Sequence, residues 1–355
     1  MFMRKLKSAC LLFFCLYLTP MPLSPASIPI LDGARKFVLD NTFGDYVSRS
    51  VEVSRGYGGT VIIKDMGDFF LQYSIAGPQD SNDPDIIIDP QVRRSSAKKD
   101  VVIVTHGWID NAAEDWSKET AAAIAEKVDP NQWLCCSFDW RGGAVVLNPV
   151  DAVKYARDVA GPRLAKALLS LNCKIKHVHL IGHSAGVWAI NSAAKIIAQK
   201  TGAELHITFL DAYVPLFWSG SELGDIDGKT VWTEHYYTKD ALTGAATYRN
   251  LTHAHNIDIT DITPKHLLSE HEFPYRWYYA TVTGRFALKG MEIGEEVIFK
   301  GNSVDYGFSR SLEAGEKNWK SSLRLKCGNK AVKIEKPKDG GEVDKWIYGL
   351  VDIKK

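Results

Sequence analysis

The sequence predicts an α/β fold: a mostly parallel sheet flanked by helices, with a small β-rich C-terminal appendage. Three observations carry that expectation. VVIVTHG (Val101 to Gly107) is a short continuous apolar run, as a strand buried on both faces is, and further strand-like runs such as KHVHLIG (Lys176 to Gly182) follow it. Segments with apolar residues at helical spacing lie between these runs. After about Gly284 the texture changes to shorter apolar runs broken by glycines and charges.

Each element follows in order. TVIIKDMGDFFLQYSIAG (Thr60 to Gly77) reads as two strands around a glycine-containing turn. The basic cluster RRSSAKK (Arg93 to Lys99) is a solvated loop before the strand at Val101. A helix is expected from about Asp115 to Lys127, ending before Pro130. QWLCCSFDW is a strand, VDAVKYARDVAGPRLAKALLSL one helix, KHVHLIG a strand, the segment after Ser184 a helix, and ELHITFLD a strand ending at Asp211. In such sheets ligand sites gather at the carboxyl ends of the strands, where Ser184 and Asp211 both fall.

With 355 residues the chain holds one large domain with room for a small second unit. A formal net charge of +1 argues against a nucleic-acid partner, which needs a concentrated positive field. The leader MFMRKLK is basic and free of acids, and SACLLFFCLYL then small residues and prolines follow, so residues 1–26 read as a signal peptide cleaved after Ala26. The competing reading is an N-terminal anchor. Cleavage implies an exported protein, secreted or periplasmic, and leaves a main α/β domain at 27–285 and a small β-rich C-terminal region at 286–355. Cys10 and Cys15 would leave with the leader. Cys135 and Cys136 are adjacent in a strand and should face opposite sides as small buried hydrophobes. A Cys173–Cys327 bridge stays open. No C-x-x-C pair and no zinc-like ligand spacing occurs along the chain.

VHLIGHSAGVWAINSAAK (Val178 to Lys195) passes from an apolar strand through Gly-His-Ser-Ala-Gly into a helix. A serine on so tight a corner is either a packing accident or a nucleophile on the strand-to-helix turn of an α/β-hydrolase. A nucleophile needs a base, an acid that orients the base, and N–H donors for the oxyanion. Asp211 ends a strand at the catalytic edge and suits the acid. Of the later histidines, His235, His253 and His255 lie in or beside strands. His266 and His271 lie in a later loop, where either could be the base. Ala185 N–H supplies one oxyanion donor, and Trp108 N–H, after Gly107, the other.

These blocks resemble the pancreatic lipase family of α/β-hydrolases from Val101 to about Tyr279. HGWIDNAAEDW is similar to its oxyanion loop, DWRGG to the turn after its next strand, VHLIGHSAG to its nucleophile segment and LDAYVP to the segment with its triad acid. EHEFPYRWYY resembles the stretch around its catalytic histidine, which selects His271 over His266. The resemblance implies a carboxylic ester hydrolase, lipase or esterase, working through Ser184, His271, Asp211 and an acyl-enzyme. It requires no cofactor, takes a lipid or small acyl-ester substrate and allows transient contact with a lipid surface.

The departures have consequences of their own. Ala185 replaces the family's leucine, and the disulfide closing its lid is absent. Only 60 residues separate Asp211 from His271, so FWSGSELGDIDGK leaves the site open and favours soluble or smaller esters. The tail is too short to equate with the family's lipid-binding β-sandwich. Glu222, Asp225 and Asp227 fall where the family can hold a structural calcium, though a solvated acidic loop is the favoured reading. Tyr275, Trp277, Phe217 and Trp218 are aromatic candidates for an acyl pocket, with core packing favoured for most. The same triad would also serve an acyltransferase, and the scaffold could instead bind lipid or glycan without catalysis.

Overall fold

The computed structural model describes residues 61–65, 72–73, 100–109, 116–144, 146, 148–170, 174–226, 231–239, 244–247, 249–263, 270–283, 285–287, 296–298, 306–314 and 331–333. The leader, Cys173, Asp227, His266 and Cys327 lie outside the described residues, as does most of 286–355.

In chain order the strands are β1 (Val61–Asp65), β2 (Gln72–Tyr73), β3 (Asp100–Thr105), β4 (Trp133–Asp139), β5 (His177–His183), β6 (Glu204–Leu210), β7 (Val231–Tyr237), β8 (His255–Asp258), β9 (Arg285–Ala287), β10 (Glu296–Ile298) and β11 (Ala331–Lys333). The helices are α1 (Trp116–Ala125), α2 (Arg141–Ala144), α3 (Pro149–Tyr155), α4 (Gly161–Ser170), α5 (Gly186–Lys200), α6 (Gly244–Thr247) and α7 (Phe273–Thr283). Nine strands form one sheet in the order β11-β8-β7-β6-β5-β3-β4-β1-β2. From β4 to β11 every pairing is parallel, while β1 pairs antiparallel with both β4 and β2. This is a mostly parallel sheet flanked by helices, consistent with an α/β-hydrolase fold. Among the described residues no helix is long and apolar enough to cross a membrane.

Period-two alternation sorts the strand side chains onto two buried faces. Val101, Ile103, Cys136, Val178, Leu180, Leu205, Ile207 and Phe209 face the layer of α3, α4 and α5. Val102, Val104, Cys135, Ile181 and Leu210 face α1 and α7. The adjacent cysteines thus enter opposite cores as reduced, buried side chains. With both faces covered, the strands can be apolar throughout, and each fully buried Val, Leu or Ile contributes about 1.5–3 kcal/mol.

The segment expected as one helix from Val150 to Leu171 is interrupted. Asn148 caps α3 by accepting the Val150 N–H, with Pro149 at the first helical position. The chain then widens into a π turn at Ala156–Ala160 before α4 begins at Gly161. Apolar periodicity cannot register such a change of pitch. Toward the C-terminus a smaller region combines the β9–β10 hairpin with two 3-10 turns at 307–314, and β11 returns to pair with β8.

Candidate active site

The sheet changes winding direction at β3. The chain moves outward from β3 to β4, then returns to place β5 on the other side of β3. A crevice forms where connections leave adjacent strands in opposite directions, here between the carboxyl ends of β3 and β5. Gly107 and Ser184 follow those two ends. A Cβ on Gly107 would come within 2.8 Å of the Ser184 Cβ, so the early loop reaches the serine corner only as glycine.

Ser184 turns with φ of 54°, a left-handed conformation that a side chain adopts only under tight constraint. The constraint is visible on both sides. Its N–H donates to the Leu210 carbonyl at 3.0 Å, and its own carbonyl accepts the Tyr213 N–H at 3.3 Å. Gly186 completes the turn by close approach, since a Cβ there would sit 2.1 Å from the His106 carbonyl oxygen. The side chain is left at the crevice with 7% of the residue exposed. Ala185 caps α5, so its N–H stands at the positive end of a fifteen-residue helix.

Asp211 is the second strained residue, with φ of 46° directly after β6. Its N–H donates to the Tyr236 carbonyl at 2.7 Å, and its Oδ1 accepts the Thr238 N–H at 2.9 Å. The other oxygen, Oδ2, lies 2.5 Å from His271 Nδ1. Burial pushes the Asp211 carboxyl above its usual range; the hydrogen bonds from His271 and Thr238 oppose that. His271 keeps 17% of its side chain exposed against 0% for Asp211, so the buried acid holds an imidazole that still meets solvent.

His271 occupies a 3-10 turn, Glu270–Glu272, leading into α7. Phe273, Trp277, Tyr278 and Ala280 bury one face of α7 against the sheet and thereby fix that turn. His183 fixes it further: its Nε2 is 3.0 Å from the His271 carbonyl, and the two rings lie 4.5 Å apart. Thr238 Oγ1 donates to the Glu270 carbonyl at 2.9 Å. Sequence reasoning missed His183 and Thr238 as positioning residues. His183 had a signal, since as the last residue of β5 its parity points it toward α7; Thr238 had none.

The loop after β3 is also held. Trp108 Nε1 donates to the Val146 carbonyl at 2.6 Å, and Ile109, with φ of 52°, donates its N–H to Ala144. His106 is fully buried and stacks on Trp140 at 5.2 Å. Its Nε2 accepts the Trp140 N–H and its Nδ1 donates to the Gly107 carbonyl. The turn after β4 thus braces the loop carrying Trp108.

Other candidates fall elsewhere. His235 is buried behind Asp211, accepting the Ala212 N–H, and burial lowers its pKa to about 4. His253 is exposed and His255 packs near Trp232. Tyr275 stacks on Trp116 and Trp277 packs at a tilt against Tyr236, whereas Phe217 stands 97% exposed with φ of 72°. Trp218 is half-buried and meets Trp188 edge-on. Asn191 latches the acidic loop by donating to the Glu222 carbonyl and accepting the Gly224 N–H. The Glu222 carboxylate lies 3.7 Å from Arg157 Nη1. The described part of this loop therefore pairs Glu222 with a side-chain cation, while Asp227 lies outside the described residues.

A family model described as Lipase matches residues 79–229. Guinea-pig (Cavia porcellus) pancreatic triacylglycerol lipase is 30% identical over 165 residues, 44% of this chain and 33% of that protein. Pig (Sus scrofa) pancreatic lipase-related protein 2 is 29% identical over 167 residues, 45% of this chain and 33% of that protein. The chain resembles the pancreatic lipase family over this central segment. The lipase resemblance also extends to phospholipase A1 of Vespula vulgaris, 28% identical over 141 residues, 36% of this chain and 41% of that protein. The chain spans about a third of the length of the pancreatic relatives. The matched lipase segment contains Trp108, Ser184, Ala185 and Asp211 but ends before His271. The contact of His271 with Asp211 thus joins a residue outside that segment to one inside it, across 60 residues of chain.

Proposed function

We propose that this protein is a serine carboxylic ester hydrolase acting on acyl esters, with Ser184, His271 and Asp211 as its triad. The single observation that carries the reading is the 2.5 Å contact of His271 Nδ1 with the buried Asp211, at the sheet edge where Ser184 sits on its strained corner. Ser184 Oγ attacks the ester carbonyl while His271 Nε2 takes its proton. Asp211 holds Nδ1–H and favours the imidazolium that results. The N–H groups of Ala185 and Trp108 bind the oxyanion, where such donors act in a site shielded from water. His271 then protonates the leaving alcohol oxygen, and water, activated by the same ring, releases the acid from Ser184.

The relatives are named for triacylglycerol and phospholipid hydrolysis, and a glycerol-linked acyl ester is accordingly the substrate class to test first. The exposed Phe217 beside Trp218 supports transient contact with a lipid surface, and the leader supports export. The test is labelling of the purified chain with a fluorescent organophosphonate, followed by p-nitrophenyl esters of increasing acyl length. Labelling that disappears in Ser184→Ala supports the triad. A folded wild type that neither labels nor hydrolyses any ester returns the protein to the class of binding scaffolds.

A further inference from the structure

The α7 face of the sheet carries a second polar constellation, at the opposite end of the same strands. His177 and His179 on β5, His206 and Thr208 on β6 and Glu234 on β7 all point to this face, since alternate residues share a side. Sheet register sets His179 beside His206 and Thr208 beside Glu234. Glu313, from the 3-10 turn at Leu312–Ala314, closes over them. Every one of these residues is buried. Buried carboxylates are costly unless a cation or strong donors meet them.

The hydrogen bonds divide the group into two roles. Glu234 is saturated: Oε1 meets His206 Nε2 at 3.1 Å and accepts Thr208 Oγ1 at 2.8 Å, while Oε2 accepts the Tyr236 hydroxyl at 2.8 Å. His179 is engaged at both nitrogens, by Glu313 Oε1 at Nδ1 and by Thr208 Oγ1 at Nε2. Its ring lies flat on that of His206, with centroids 3.7 Å apart and planes 5° apart, which disfavours charging both. Glu313 Oε2, in contrast, is buried and has no hydrogen-bond partner among the described residues. One ligand atom each from His177, His206 and Glu313 lie within 4.8 Å of one another.

We propose that His177, His206 and Glu313 form a zinc site on the underside of the sheet, oriented by Glu234 and His179. Two imidazoles and a carboxylate oxygen are a donor set that Zn²⁺ takes with a fourth position left for water. With Nε2 turned to Glu234, His206 offers Nδ1, the carboxylate–histidine–metal relay seen where a second carboxylate orients a ligand. His179 does the corresponding work for Glu313 by holding Oε1. The same three histidines and Glu234 also present a second close trio, His179, His206 and Glu234, but its facing atoms are already bonded to one another or to Thr208. An open cleft of about 720 Å³, lined by Asp100, Lys176, His177, Glu204 and Leu312, borders the site on the His177 side. Six residues of β5 lie between His177 and Ser184, seven steps or about 23 Å at ~3.3 Å per residue. The ion therefore acts on structure, tying residues 306–314 to the sheet, and not on the ester.

Chelator-treated full-length chain, titrated with Co²⁺ and then Zn²⁺, tests the site. The expected result is one equivalent bound, a visible Co²⁺ absorption that Zn²⁺ abolishes, and a higher melting temperature with zinc. Glu313→Gln and His177→Gln should reduce binding to background, and Glu234→Gln should weaken it about 10- to 100-fold. Glu313→Gln preserves shape and so keeps the test decisive if His177→Gln does not fold. Wild type that takes up no metal overturns the proposal, as does one-equivalent binding left undiminished in folded Glu313→Gln.

Discussion

The two ends of strands β5 and β6 make polar sites in different ways. At the upper end, Ser184 and Asp211 stand just beyond their strands, each with positive φ, and the histidine arrives from 60 residues downstream. At the lower end, His177, His179 and His206 lie within the strands in ordinary extended backbone and are gathered by register. Backbone strain marks the end where a side chain has to be presented to a ligand from outside. Its absence marks the end where side chains meet only each other, and where a small buried ion would fit.

That contrast can be broken in order of effect. Ser184→Ala should lower ester turnover on the order of 10⁴-fold or more and abolish organophosphonate labelling, while leaving the urea midpoint nearly unchanged. Asp211→Asn should lower kcat by about 10⁴-fold with KM little altered, because the amide no longer favours the productive His271 tautomer. A loss under tenfold would show that His271 is held by other contacts, His183 first among them. Gly186→Ala should cost about 3 kcal/mol or more, since its Cβ meets the His106 carbonyl oxygen at 2.1 Å, and backbone on both sides must move. Gly182→Ala should cost less, because its nearest neighbour at 2.9 Å is the side-chain end of Ile190 and the backbone it meets, at Gly186, lies 3.2 Å away. Equal urea midpoints for the two would remove the close-approach account of the serine corner.

A pH dependence at His235 spreads its effect over several pH units. Burial lowers its pKa from 6.5 to about 4, opposed only by the Asn256 hydrogen bond. Between those values the unfolded chain binds a proton that the folded one does not. Stability therefore falls as pH drops through that window, by up to ~1.4 kcal/mol per pH unit from this residue. Urea melts of wild type and His235→Gln from pH 7 to pH 4 should differ in slope by about one proton.

Much of this was legible along the chain. Apolar runs located β3 to β6, and Gly-His-Ser-Ala-Gly marked the serine corner because a motif of adjacent residues encodes a local turn. The π turn at Ala156–Ala160 escaped, because apolar spacing in a helix does not report one extra residue per turn. His266 and His271 could not be separated by local pattern. Loop physics alone does not state which imidazole will reach a carboxylate 60 positions away, and the resemblance of EHEFPYRWYY to the lipase family chose His271. The lower cluster was hidden for a related reason: ligand spacing along a sequence finds metal sites on one hairpin or helix, whereas here neighbours in space are 29 and 107 residues apart, as His177–His206 and His206–Glu313.

Sequence alone determined the alternation of strand and helix, the two-faced burial of Cys135 and Cys136, and the strained corner, since these depend on periodicity and on steric limits within a few residues. Tertiary structure decided how closely His271 meets Asp211, that His183 and Thr238 hold it there, and that the histidines of β5 and β6 converge with Glu313. Those outcomes depend on strand order and register, which are set by how the two cores pack and not by any segment read singly.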